Sequence, residues 1–152
     1  MVITAGDLMA TVLGAAQAAA ARGEVPVGAA VVAADGRILA IAGNETEARA
    51  DASAHAEMLS LRAAAALRGA QRLPDCDLVV TLEPCLMCAQ AASLFRIRRV
   101  IFGAYDPKGG GIEHGARVFD AASCHHRPEV VGGVRESECA AILRAFFAPR
   151  RL

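Results

Sequence analysis

The feature that most limits what this chain can fold into is a histidine and a cysteine pair held about thirty residues apart: His55-Ala56-Glu57, then Cys85-Leu86-Met87-Cys88. One imidazole and two thiolates can give zinc three protein ligands and leave the fourth position to water, the open arrangement of a catalytic rather than a structural site. Taken alone, C-x-x-C reads equally well as two buried thiols or a redox pair. Three further features favour metal. The cysteines open a helix, where the N-terminal dipole favours thiolate; a histidine opens another helix, with a carboxylate two residues on; and Cys76, Cys124 and Cys139 stand isolated, so no fourth ligand closes the site. Glu57 is then placed to move protons on the metal's water, the bland alternative being a carboxylate that merely complements a helix dipole.

The rest of the pattern says how the two segments are carried. Leu8, Val12, Leu13, Ala16 and Ala20 recur at helical spacing, so residues 7 to 22 read as a helix capped by Asp7 and ended by Gly23. Val27 to Ala33 and Ile38 to Ala42 are apolar runs joined through Ala34-Asp35-Gly36-Arg37, which predicts an antiparallel hairpin. Gly43 to Ser53 reads as a loop, and Asp51 or Ser53 can cap a helix from about Ala54 to Leu67. Leu78 to Leu82 is a buried strand, with Pro84 fitting the first position of the next helix. A fourth strand, Val100 to Gly103, leads into the Gly-rich segment Asp106 to Gly115; a short helix near Arg117 to Ala121, a strand at Glu129 to Val131 and a helix from Ser137 to Phe147 complete the chain. A hairpin followed by alternating strands and helices predicts a three-layer α/β/α sandwich around a central mixed five-stranded sheet, with the two metal-bearing helices meeting at one edge. Those helices are apolar nearly all round, which predicts a second copy of the chain against one flank and hence a homodimer.

Composition narrows the class. With 152 residues, a single domain that folds without disulfides is expected. Lys+Arg and Asp+Glu are equal at 16, so no strongly basic nucleic-acid footprint is present. The apolar run Leu8 to Ala21 has Asp7 and no Lys or Arg before it and is too short to span a bilayer, which points to a cytoplasmic protein with no membrane partner. Five cysteines, an odd number, fit metal ligation and free thiols.

His55-Ala56-Glu57 with Pro84-Cys85-Leu86-Met87-Cys88 resembles the H-x-E…P-C-x-x-C signature of the zinc-dependent nucleoside and nucleobase deaminases, the cytidine/deoxycytidylate deaminase superfamily. Glu24-Val25-Pro26-Val27-Gly28, Asn44, Thr81-Leu82-Glu83, Phe102-Gly103-Ala104, Asp106, Lys108 and Glu138-Cys139-Ala140-Ala141 extend the similarity to the bacterial tRNA adenosine deaminases over nearly the whole chain. The resemblance implies a cytidine deaminase-like fold and one zinc per chain. It also implies hydrolytic conversion of adenosine to inosine at the wobble position of a tRNA anticodon loop, by a homodimer. By position it makes His55, Cys85 and Cys88 the zinc ligands and Glu57 the proton carrier. Asn44 would bond the nucleoside, Val27 would line the pocket, the backbone at Ala54, Leu82 and Glu83 would border the base, and Asp106 and Lys108 would face the RNA. The rival keeps the chemistry and changes the substrate to a free base or nucleoside such as guanine or cytosine; a zinc-stabilised module without turnover is the third reading.

The chain departs from that pattern in places. Asp106-Pro107-Lys108-Gly109-Gly110-Gly111 continues Ile112-Glu113-His114-Gly115 and reads as a mobile RNA-facing loop, with a plain surface connection as the alternative. Pro149 ends the last helix before Arg150 and Arg151. Arg96, Arg98 and Arg99 suggest either a basic strip or a solvated corner; of Phe146 and Phe147 one can face a base and at least one is expected in the core; His114, His125 and His126 default to exposed or satisfied histidines.

Overall fold

The computed structural model describes residues 2–150. Its elements are α1 (Ala5–Ala21), β1 (Gly28–Val32), β2 (Ile38–Gly43), α2 (Ala56–Arg68), β3 (Asp77–Leu82), α3 (Leu86–Leu94), β4 (Arg99–Ala104), a 3-10 turn at Val118–Asp120, β5 (Glu129–Val131) and α4 (Glu136–Phe147), with a last 3-10 turn at Ala148–Arg150. The strands form one sheet in the order β2-β1-β3-β4-β5. β1 pairs antiparallel with β2 and β3, whereas β3, β4 and β5 run parallel, so the sheet is mixed as the sequence predicts.

Alternation along the strands divides the core. Ala29 and Val31, Leu78 and Val80, Val100 and Phe102 face the side covered by α2 and α3, together with Leu61, Ala89 and Ala92. Ala30, Val32, Val79 and Ile101 face the other side, where Leu8, Met9, Val12 and Leu13 of α1 and Cys139 of α4 cover them. Each buried Leu, Val or Phe contributes roughly 1.5–3 kcal/mol by leaving water. Three layers follow.

Several element ends differ from expectation. Thr4, not Asp7, caps α1: the Asp7 N–H donates to Thr4 Oγ1 and the Thr4 N–H donates back to the Asp7 carboxylate, a reciprocal capping box. Asp51 and Ser53 bond each other rather than capping α2; His55 holds that cap position, and the Ala56 N–H is satisfied from outside the helix by Asn44 Oδ1. Pro84 lies outside α3, because Cys85 is the extended cap residue and the Pro84 carbonyl is drawn away to accept the Gly111 N–H. The metal-bearing helices do not meet at a sheet edge. Three residues separate the end of the central strand β3 from the start of α3, and α2 packs on β1 and β2 beside it.

Phe146 and Phe147 stack edge-to-face on each other outside both core clusters, and the Arg150 guanidinium lies 3.7 Å from the Phe146 ring centre. The expected core aromatic is therefore absent there, since α4 covers the sheet only with its first turns. Arg151 lies outside the described residues. Arg98 and Arg99 both donate to the buried Asp77 carboxylate, and Arg96 turns back to the Ser93 carbonyl, so these three make a structural corner rather than a basic strip.

Candidate active site

Two helix starts meet at the carboxyl end of β3. His55 and Cys85 are the cap residues of α2 and α3, and Cys88 sits one turn into α3. The His55 Nδ1 atom lies 3.6 Å from Cys85 Sγ and 3.5 Å from Cys88 Sγ, and the three atoms lie within 4.8 Å of one another. Tetrahedral zinc with Zn–N near 2.0–2.1 Å and Zn–S near 2.3 Å requires N···S separations of about 3.6 Å. The donor set fits the metal without rearrangement.

The electrostatics agree with that use. The Cys88 thiol, against the cost of burial and with help from His55, stabilises the Cys85 thiolate and brings its pKa down to about 4. Cys88 moves upward, because Cys85 and burial both hold its proton on. His55 is raised chiefly by Cys85. Binding of a divalent ion to such a pair displaces thiol protons. Glu57 is only 4% exposed, and desolvation raises its pKa to about 7.

The cluster opens into a cavity of about 320 Å³ lined by Val25, Val27, Asn44, Thr46, His55, Glu57, Leu82, Glu83, Cys85, Asp106 and Gly109. Such a volume suits one nucleoside-sized group. A second cavity, about 310 Å³, lies at the other end of β3 beside Asp77, Arg98 and Arg99, away from the metal triad.

The model for the cytidine and deoxycytidylate deaminase zinc-binding region matches residues 4–104. The chain belongs to this deaminase family. Among its relatives, a tRNA-specific adenosine deaminase of Agrobacterium fabrum is 53% identical over 137 residues, 90% of each chain. One of Bacillus subtilis is 45% identical over 136 residues, covering 90% of this chain and 84% of its own. A structure solved in studies of A-to-I editing by tRNA:A34 deaminases at the wobble position superposes with a TM-score of 0.87 at 51% identity, covering 89% of this chain and 97% of that one.

Within this deaminase, most residues singled out in the sequence converge. Val27, Asn44, Leu82, Glu83 and Asp106 line the cavity with His55, Glu57 and Cys85. Two do not. Ala54 is buried, and its backbone is engaged by Glu45 and Asp51; Lys108 is exposed, outside the lining. Asn44 Oδ1 is engaged by Ala56, which leaves its amide N–H groups for a ligand. Val25, Thr46 and Gly109 also line the cavity; Val25 and Gly109 fall inside the motif segments without a site role read from the sequence, and Thr46 carried no signal.

Two further glutamates set the rims. Glu24, 1% exposed, accepts the Glu47 and Ala48 N–H groups at 3.0 and 2.8 Å and the Thr46 hydroxyl at 3.4 Å. The Glu47 N–H leads those that hold its pKa below the usual carboxylate range, against burial. Glu83 plays the matching part for the Asp106–His114 segment; burial raises its pKa, but His114 and backbone N–H groups outweigh that and hold it low. The expected mobile loop is therefore pinned along this stretch, with Gly110, Gly111 and Ile112 buried. His126 is satisfied by the Ile97 carbonyl at 2.7 Å, and His125 is exposed.

No described helix is long and apolar enough to cross a membrane, and none of the five cysteines is in a disulfide.

Proposed function

We propose that this chain is a single-domain, zinc-dependent tRNA deaminase of the cytoplasm that converts adenosine to inosine at the wobble position of an anticodon loop and releases ammonia. The substrate assignment is carried by the 53% identity, over 90% of both chains, with a relative named for that reaction. The chemistry is supported by the buried Glu57 beside the His55–Cys85–Cys88 triad.

Zinc held by that triad would lower the pKa of water and so supply a nucleophile near neutral pH. Glu57, with its pKa near 7, can take one proton from the water and deliver it to a ring nitrogen, then take the second from the hydroxyl now on C6 and deliver it to the leaving amine. A C6–O bond forms, the C6–N bond breaks, and no electrons are exchanged with a second reagent. Val25, Val27 and Leu82 give the base apolar walls, while Asn44 offers amide N–H donors. A base must leave its stack to enter such a cavity, and an anticodon loop presents unstacked bases at small cost. Asp106 at the mouth and Lys108 beyond it then face the flanking RNA. Leu86 and Leu94 of α3 are 58% and 62% exposed and Leu67 of α2 is 66% exposed, a set of apolar side chains that supports a homodimer through these two helices.

The test offers tRNA bearing an anticodon adenosine beside free guanine, cytosine, cytidine and adenosine, and follows inosine and ammonia. Inosine in the tRNA is the expected result. Activity confined to the free compounds would replace this substrate with a small base or nucleoside.

A further inference from the structure

The reaction gives the Glu83 side chain no part, yet it is the most heavily bonded carboxylate of the site. It is 2% exposed. Oε1 accepts the Asp106 N–H at 3.1 Å and meets His114 Nδ1 at 2.8 Å; Oε2 accepts the N–H groups of Ile112, Glu113 and His114 at 3.1, 2.9 and 3.1 Å. The segment closes so tightly that only glycine fits at two positions. A Cβ on Gly110 would stand 2.5 Å from the Glu83 carboxyl carbon, and one on Gly111 would stand 2.7 Å from the Leu86 nitrogen at the start of α3. Asp106 in turn accepts the Lys108 and Gly109 N–H groups, so the turn that lines the cavity hangs from the Glu83 anchor. Ordering a loop costs about 1–2 kcal/mol per residue in backbone entropy. A wall folded before the substrate arrives spares binding that cost.

We propose that Glu83 is a positioning residue: its carboxylate holds Asp106–His114 as a preformed wall of the cavity, and so sets how well substrate binds without touching the reacting atoms. The claim rests on the deaminase reading only for the substrate used to measure it.

The experiment is Glu83→Gln, loaded with zinc. A carboxamide presents only one acceptor oxygen to donors that surround two. Three quantities are read: zinc per chain, amide hydrogen exchange at Asp106, Ile112, Glu113 and His114, and kcat and KM on whichever substrate the wild type turns over. Zinc should be retained, exchange at those amides should accelerate by roughly tenfold or more, and KM should rise by roughly 10- to 100-fold with kcat within about threefold. Unchanged KM, unchanged exchange, or a loss that follows zinc and kcat would overturn the proposal. If the variant does not fold, His114→Ala removes one contact and leaves the carboxylate in place. It should move exchange and KM in the same direction by less, and no movement in either would overturn the proposal. A wild type active only on free bases would sink the tRNA assignment and leave this test intact, since KM is then read on that base.

Discussion

On the floor of the cavity Glu57 is buried with little to bond its carboxylate, and desolvation pushes its pKa to about 7. On the rims Glu24 and Glu83 are buried at least as deeply, but backbone N–H groups wrap their oxygens and hold both as carboxylates. The same side chain, with almost no surface left to solvent in all three places, is a proton carrier in one and a loop anchor in two others. Low solvent exposure alone does not decide between these roles; Glu57 is the most strongly desolvated of the three, and the rim carboxylates meet the donors it lacks.

The comparison can be broken first at the metal. Cys88→Ala should lose most of the zinc and nearly all turnover, because two donors at the mouth of α3 no longer close a three-ligand site; elemental analysis showing full zinc retention would remove Cys88 as a ligand. Glu24→Gln is the rim counterpart. It should keep zinc, loosen residues 46–48 and raise KM by roughly tenfold, whereas a wild-type KM would mean that this rim does not shape binding.

A smaller effect sharpens the contrast by sign. Glu57 has its folded pKa raised from 4.5 to about 7, so the folded state binds the extra proton and the contribution is full below about 4.5 and lost as pH rises through about 7. Glu24 and Glu83 have lowered folded values, so their contribution is present above about 4.5 and lost as pH falls through those values. In metal-stripped protein, denaturant unfolding should show the wild type losing about 1–3 kcal/mol relative to Glu57→Gln between about pH 5 and 7.5. Against Glu24→Gln or Glu83→Gln the wild type should lose its advantage on acidification instead. Parallel pH profiles for all three variants would erase the distinction.

What the sequence revealed follows the range of the interactions. Short apolar runs and the Asp35-Gly36 hairpin are local patterns, and the mixed five-stranded sheet forms where they predict. The metal triad was legible because each ligand opens a helix and the residue types are few. Caps were less legible. Thr4 works through an aspartate rather than the usual Glu or Gln three residues on, and α2 receives its satisfying oxygen from Asn44, twelve residues upstream of Ala56. The rims could not be read at all: Glu83 bonds residues 23 to 31 positions away, and a glutamate beside a proline carries no mark of that. The same distance explains why the Gly-rich segment read as mobile; its glycines serve close approach to Glu83 and Leu86, not freedom.

The measurement closest to the heart of this account is inosine formation in tRNA by zinc-loaded Glu57→Gln beside the wild type, with metal content determined on the same samples. Equal zinc with turnover lowered by roughly 100-fold or more is the expected pair of results. Equal zinc with undiminished inosine would show that the proton moves by another route and that the floor of the cavity has been misread.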